Sequence, residues 1–216
     1  MSADSATRET LSDALKLLIF AVIGTAILAS VFYLTHNRIA ATEEAEKLKL
    51  LSQAAPPELY DNNLLKDTVE IPPTPQLGTS DATVAYRGRL RGEPSVVVLE
   101  VIAPDGYSGK IDMIVAIRAD ASIAGVRVVS HKETPGLGDY IDHTKNPWIE
   151  AFDGTSSQRY KDTDWQVKKD GGQFDYMAGA TITPRAVIKA VHRALQYFEG
   201  HRDELFAAKA SEGSGK

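Results

Sequence analysis

The run Asp175-Tyr-Met-Ala-Gly-Ala-Thr-Ile-Thr183, followed at once by Pro184, sets the arrangement of the second half of this chain. Proline is favoured at the first position of a helix, because its fixed φ suits the helix and its missing N–H would have no partner there. Thr183 is therefore predicted to be the N-cap of a helix that starts at Pro184. Apolar residues then recur at helical spacing and predict one buried face: Val187, Ala190, Val191, Ala194, Leu195 and Phe198.

The turn before this helix has the features of a phosphate-binding site. Free backbone N–H groups and the positive end of the helix dipole converge at a helix start. Gly179 and Ala180 have small side chains, which would let a flat ligand or its phosphate approach the backbone closely. An ordinary capped helix with a glycine turn needs the same residues, so the turn alone leaves both interpretations open.

Upstream of the turn, the sequence predicts an antiparallel sheet. Apolar runs rich in β-branched residues occupy Ser95–Ile102, Ile111–Arg118 and Ile123–Ser130, and Val84–Leu90 is a further candidate strand. The short polar segment between the last two runs is typical of a hairpin turn. The fold class is therefore α+β, with a mainly antiparallel sheet followed by a long C-terminal helix.

The loop His131-Lys-Glu-Thr-Pro-Gly-Leu-Gly-Asp139 leaves the last predicted strand at the edge of the sheet, where ligand-contacting residues are often presented. Its Pro-Gly-Leu-Gly segment predicts a constrained turn with free backbone N–H groups. Trp148 is predicted to begin a short helix and to lie in the core.

The composition excludes several classes of function. Cysteine is absent from the 216 residues, so any redox chemistry would need a bound organic cofactor or a partner subunit. The formal net charge of −5 and the lack of a basic run argue against a nucleic-acid partner. We also predict no metal site, because the candidate ligands match no strong spacing pattern: His131, Glu133, Asp139 and His143.

The N-terminal part contains one long apolar run. Leu17 to Leu34 has no charged side chain, and its length is near the lower limit for spanning a bilayer core of about 30 Å. A cleaved signal peptide is the rival interpretation, but this run exceeds the roughly 7–15 apolar residues of a typical signal peptide. We therefore predict an uncleaved transmembrane anchor over 17–35. The charges on its two flanks are too even to assign an orientation.

The remaining segments connect or extend these parts. Residues 36–94 are predicted to be a helical and proline-containing connection, whose helix formers run from Ile39 to a stop at Pro56. The C-terminal helix is predicted to continue to Phe206 with an interruption near Gly200. Residues 207–216 are predicted to form a flexible tail.

Two of these segments resemble motifs of a known family. The run from Asp175 to Thr183 resembles the D-x-x-S-G-A-T-x-[ST] motif of proteins that carry FMN through a threonine phosphoester, except that Ala178 stands where the motif usually has serine. The loop His131–Asp139 is similar to the H-x-E-T-P-G-L-G segment beside the flavin in the same proteins. The motifs occur in the expected order, and residues 95–206 are therefore identified as a member of the FMN-binding domain family. The matched part, roughly 96–198 together with the N-terminal anchor, resembles the G subunits of Rnf ion-translocating ferredoxin:NAD oxidoreductase complexes.

This resemblance implies a site and a function. A flavin transferase would move FMN from FAD onto Thr183. The chain would be an electron-transfer subunit of a bacterial inner-membrane complex, which couples electron flow between ferredoxin and NAD to Na⁺ or H⁺ translocation. Residues 1–16 would be cytoplasmic and the flavin domain periplasmic. Besides Asp175 of the acceptor motif, the cofactor-binding residues would be Glu133, Thr134, Gly136, Leu137, Gly138, Ala178, Gly179, Ala180 and Thr181.

Three alternatives stay open. The C subunit of the Na⁺-translocating NADH:quinone reductase shares the flavinylated threonine and the anchor, but that family usually has a larger exported domain. A membrane-tethered binding module without redox activity would use the Gly-Ala-Thr turn only as a helix cap. A free-standing flavin reductase would have to oxidise NAD(P)H by itself, and no G-x-G-x-x-G segment follows a strand here.

Overall fold

A computed structural model describes residues 3–207, so most of the tail predicted at 207–216 lies outside the described residues. The chain divides into two compact units, with the boundary between Glu46 and Lys47. Helix α1 covers Ala3–Ala54, which confirms the prediction of a helix that stops before Pro56. Within the described residues, no helix combines the length and the hydropathy required to cross a membrane.

The second unit is built on a five-stranded antiparallel sheet whose strands follow one another in sequence order. Three predicted strands and the candidate strand before them are confirmed, and the hairpin between the last two is antiparallel. The shortest strand was missed, because its four residues run directly into Pro72. The strands are β1 (Thr68–Ile71), β2 (Thr83–Leu90), β3 (Glu93–Ala103), β4 (Ile111–Arg118) and β5 (Ile123–Ser130).

Both faces of the sheet are buried, which explains why β3 reads as an almost continuous apolar run. Side chains alternate between the two faces of a strand. Val97 and Leu99 face the larger core, which lies under the C-terminal helix. Val96 and Val98 face a smaller core, where Leu51 near the end of α1 covers the sheet. The sheet is therefore packed on both faces by apolar side chains.

Helix α2 covers Ile182–Phe206 and packs against β3 and β4. The predicted apolar stripe is confirmed, because all six of its residues are buried. The interruption expected near Gly200 falls one residue later, at His201, whose φ of −125° and ψ of 16° are not helical.

The predicted start of this helix is wrong. Thr181 is the N-cap and Thr183 is already inside the first turn. Proline has no N–H, and none of the first N–H groups of a helix has a partner within the helix, so Pro184 is tolerated at the third position as well as at the first. The Thr183 hydroxyl is consequently not a capping group.

Arginine side chains fasten the end of α2 to the sheet. Arg87 on β2 is buried, and its guanidinium donates to the carbonyl of Ala207 and forms an ion pair with Asp67. Arg89 pairs with the same carboxylate at 2.8 Å and also donates to the carbonyl of Phe206. These contacts use the last carbonyls of the helix, which have no partner within it.

Candidate functional site

The two segments that the sequence singled out meet and form one cleft. The loop after β5 supplies one wall, and the turn before α2 supplies the opposite wall together with the first residues of the helix. A third segment, the connection between β3 and β4, contributes Tyr107. The cleft has a volume of about 330 Å³ and is lined by Tyr107, Glu133, Thr134, Leu137, Gly138, Gly179, Ala180, Thr181, Ile182 and Thr183.

A hydrogen bond between Thr183 and Glu133 joins the two walls. The Thr183 hydroxyl donates to Oε2 of Glu133 at 2.5 Å, although the two residues are 50 positions apart in sequence. Thr183 is 1% exposed and Glu133 is 4% exposed. The second carboxylate oxygen of Glu133 accepts a hydrogen bond from the backbone N–H of Ser108 at 3.0 Å. Both oxygens of this buried carboxylate therefore have a defined partner.

Gly138 leaves the space in which this hydrogen bond forms. A Cβ atom at this position would lie 2.8 Å from Thr183 Oγ1 and 2.8 Å from Glu133 Oε2. The backbone φ of Gly138 is −90°, which any residue can adopt. Glycine is thus needed here for room and not for its backbone conformation.

The loop uses its own N–H groups, so the prediction that they are free for a ligand is wrong. The N–H groups of Leu137 and Gly138 both donate to the carbonyl of Thr134 at 3.1 Å. The N–H of Gly136 donates to the carboxylate of Asp139 at 2.7 Å. The turn is therefore closed by its own hydrogen bonds, and Thr134, Leu137 and Gly138 are the residues by which it lines the cleft.

Asp139 fixes the far end of this loop. Its second carboxylate oxygen accepts a hydrogen bond of 2.7 Å from the ammonium group of Lys145. This hydrogen bond holds the pKa of the Asp139 carboxyl below its usual value. The carboxylate therefore stays ionised near neutral pH and keeps the Gly136 turn closed.

The start of α2 does offer free donors. The N–H groups of Ile182 and Thr183 have no hydrogen-bond partner among the described residues. Both lie in the first turn of the helix, where the dipole also favours negative charge. An anion beside the Thr183 hydroxyl would find these donors within the same turn.

Two aromatic residues that follow the loop hold the turn before α2 in place. Trp148 donates its indole N–H to the backbone carbonyl of Asp175 at 2.7 Å. The Tyr140 hydroxyl donates to the carbonyl of Ala180 and accepts from the N–H of Met177. Burial raises the pKa of Tyr140, so its hydroxyl keeps the proton that it donates.

The sequence indicated only part of this support. Trp148 is the second residue of a short 3-10 helix, Pro147–Phe152, within one residue of the predicted start, and it is buried as predicted, but its hydrogen bond to the turn was missed. Tyr140 and Ser108 were not singled out. Polar-tipped aromatic residues close behind a candidate ligand loop were the available signal for Tyr140 and Trp148.

Three of the predicted site residues do not line the cleft. The Asp175 carboxylate is exposed and pairs with Lys168 at 2.6 Å. Ala178 is also exposed, and Gly136 lies at the tip of the loop with a φ of 76°. For the candidate metal ligands, the part of the chain that the structure describes contains no group of three His, Asp or Glu side chains arranged to hold an ion.

Comparisons with known proteins bear on both ends of the chain. Residues 106–196 match the family model for the FMN-binding domain, and residues 1–54 match the model for the RnfG N-terminal region. The G subunit of the ion-translocating oxidoreductase complex of Pseudomonas aeruginosa is 46% identical over 211 residues, which cover 97% of this chain and 99% of that protein. The protein of the same name from Aliivibrio fischeri is 45% identical over 89% of this chain and 92% of its own length.

A solved structure shares the fold. NqrC from Shewanella oneidensis superimposes with a TM-score of 0.55 at 21% sequence identity, over 78% of this chain and 100% of that structure. At this identity the likeness concerns the fold alone, and the near full-length similarity to the G subunits defines the relationship. By this similarity, which confirms the resemblance seen in the two motifs, the chain belongs to the family of G subunits of ion-translocating oxidoreductase complexes.

Proposed function

We propose that this chain is a membrane-anchored electron-transfer subunit of an ion-translocating oxidoreductase complex, and that it carries FMN through a phosphoester to Thr183. Besides family membership, one structural observation supports the attachment of FMN to Thr183. Thr183 lines the cleft, its hydroxyl donates a short hydrogen bond to Glu133, and the N–H groups of the same helix turn have no partner among the described residues. This arrangement suits a nucleophilic oxygen with a phosphate next to it.

The residues of the cleft fit the parts of FMN. The unpaired N–H groups of Ile182 and Thr183 would receive the phosphate. The same cleft is lined by the large side chains of Tyr107, Leu137 and Ile182, which are 68%, 46% and 47% exposed. A flat ring system that packs against them would bury this apolar surface. When bound, FMN would supply the reversible redox chemistry that a chain without cysteine cannot provide.

Each structural element has a defined task in this proposal. The loop after β5 and the turn before α2 hold the cofactor from two sides. Tyr140 and Trp148 keep the turn in position from behind. A covalent link would retain the flavin through repeated redox cycles in a periplasmic domain, where free flavin is scarce.

The same proposal places a membrane anchor at 17–35. Its support is the uncharged run Leu17–Leu34 and the strong exposure of large apolar side chains on α1, such as Leu17, Phe20 and Leu28. Exposed apolar side chains in this density are favourable in lipid and costly in water. The domain after the anchor would face the periplasm, and the other subunits of the complex and a flavin transferase would be the partners.

The decisive experiment is intact-mass analysis with in-gel flavin fluorescence of denatured protein that was co-expressed with a flavin transferase. Wild type should gain the mass of one FMN less one water and should fluoresce, and Thr183→Val should do neither. Thr163→Val is the control and should be modified like wild type, because Thr163 is exposed and is not among the residues that line the cleft. An unmodified wild type would reject the covalent flavin and favour a binding module without redox activity.

The anchor needs a separate experiment. Full-length protein should stay in the membrane fraction after alkaline carbonate extraction, whereas a variant that starts at Lys47, the first residue of the second unit, should be released. Release of the full-length chain would contradict the anchor and leave the proposal for Thr183 intact.

A further inference from the structure

The buried carboxylate of Glu133 contacts the atom that would react. A hydroxyl is a weak nucleophile at neutral pH, and it needs a proton acceptor within hydrogen-bond reach to form an ester bond. Glu133 Oε2 lies 2.5 Å from Thr183 Oγ1, and both side chains are almost completely buried. Bulk water therefore has little access to this proton, and the carboxylate is its nearest acceptor.

The other acidic groups near the cleft are already engaged. Asp139 pairs with Lys145, and Asp175 is exposed and pairs with Lys168. Among the described residues, Glu133 is the side chain that is hydrogen-bonded to the Thr183 hydroxyl.

The position of this carboxylate is fixed from several sides. The N–H of Ser108 holds Oε1, which leaves Oε2 turned towards Thr183. Two glycines make room for it, because a Cβ atom at Gly106 would lie 2.9 Å from Oε1 and one at Gly138 would lie 2.8 Å from Oε2. Such a fixed orientation favours proton transfer along one defined hydrogen bond.

We propose that Glu133 is the general base for the flavinylation of its own chain, an inference that rests on the proposed attachment of FMN to Thr183. Thr183 Oγ1 attacks the phosphorus atom on the FMN side of FAD, and a new P–O bond forms. The bond from this phosphorus to the bridging oxygen breaks, and AMP leaves with the electron pair of that bond. The hydroxyl proton passes to Glu133 Oε2, and no atom changes its oxidation state.

The test measures the rate of FMN attachment by intact mass, with the purified full chain, a purified flavin transferase and FAD. Glu133→Gln should lower kcat by about 100-fold or more, because an amide has the same shape but cannot take the proton. The KM for the acceptor chain should stay within about threefold of the wild-type value, because the surface seen by the transferase is unchanged. The matched control is Glu70→Gln on β1, at the opposite edge of the sheet from β5, which should behave as wild type.

A second variant keeps the test valid if Glu133→Gln does not fold. Glu133→Asp keeps the charge but withdraws the carboxylate by about 1.5 Å, one carbon–carbon bond. It should lower kcat by about tenfold or more. A wild-type kcat in a folded Glu133→Gln or in Glu133→Asp would overturn the proposal, and so would a change confined to KM. A wild type that gains no FMN at all would instead overturn the proposed function, and this inference with it.

Discussion

The indole N–H of Trp148 donates a hydrogen bond of 2.7 Å to the backbone carbonyl of Asp175, which opens the turn before α2. Its ring also packs edge-on against Tyr140 at a centroid distance of 5.5 Å, and Tyr140 bonds the same turn farther along. The turn that presents Thr183 is thus supported by two aromatic residues from the segment behind the loop. This relationship makes the geometry of the cleft sensitive to changes that do not contact a ligand.

Trp148→Phe should therefore cost more stability than an equivalent change elsewhere. The phenyl ring cannot donate, so the Asp175 carbonyl loses its partner, at a cost of about 1 kcal/mol beyond the lost packing. Trp165→Phe is the matched control, because Trp165 is also buried but its indole N–H has no hydrogen-bond partner among the residues that the structure describes. Urea unfolding of both variants measures the difference. An equal or larger loss in Trp165→Phe would contradict the role given to the Trp148 hydrogen bond.

Gly138→Ala should separate Glu133 from Thr183. The added methyl group would lie 2.8 Å from both polar atoms, so the loop or the helix start must shift, at a cost of about 1–3 kcal/mol. We expect a lower unfolding free energy and much less FMN on Thr183 after co-expression with a transferase. The control is Gly200→Ala in α2, where the new methyl group would meet no atom of the described part of the chain within 4 Å. That change should instead stabilise the helix by about 0.5–1 kcal/mol. Normal flavinylation of Gly138→Ala would show that the close approach is dispensable.

Arg87→Met should destabilise the domain strongly. It removes a buried guanidinium and leaves Asp67 and the carbonyl of Ala207 without that partner. Breaking a buried ion pair costs about 3–5 kcal/mol, and Arg89 will reduce the loss to about 2–3 kcal/mol because it still pairs with Asp67. Chemical denaturation measures the effect. In a double-mutant cycle, Asp67→Asn should cost less in the Arg87→Met background than in wild type, although it still removes the pair with Arg89. Full additivity of the two changes would contradict the pair between Arg87 and Asp67.

His192 should make the stability depend on pH. Burial lowers its pKa below the usual 6.5, while Asp162 and Glu199 act in the opposite direction. Its ring stacks on Trp165 with a centroid distance of 4.8 Å. Below pH 6.5 the unfolded chain binds a proton at this position that the folded chain does not yet bind. The stability contributed by neutral His192 is therefore fully present above this pH and declines as the pH falls towards the folded pKa.

The measurement is the melting midpoint between about pH 7 and pH 5 for wild type and His192→Phe. Phenylalanine keeps the stacking on Trp165 but cannot titrate. The variant should lose less stability than wild type as the pH falls through this range. Parallel pH profiles of the two proteins would show that His192 does not contribute.

Four of the five strands, the long C-terminal helix and the family could be predicted from local sequence patterns. A run such as Ile123–Ser130 predicts a strand, and the spacing of Val187, Val191 and Leu195 predicts the buried face of α2. Both predictions need only neighbouring residues, because the side chains of a strand or a helix repeat at a short, fixed spacing along the chain. The motifs likewise indicated that the loop after β5 and the turn before α2 form one site, and the two segments do line the same cleft.

The pairing of atoms in this cleft, in contrast, depends on tertiary packing. The contact between Glu133 and Thr183 joins residues 50 positions apart, and Ser108 reaches it from a third segment that carries no sequence signal. In the folded chain Thr181 and not Thr183 is the N-cap of α2. The N–H groups without a partner among the described residues are those of Ile182 and Thr183 at the helix start, whereas the N–H groups of the loop are bonded within the loop. Local patterns specify the period of each element, whereas the orientation of a side chain depends on which loops the packed sheet and helix bring together.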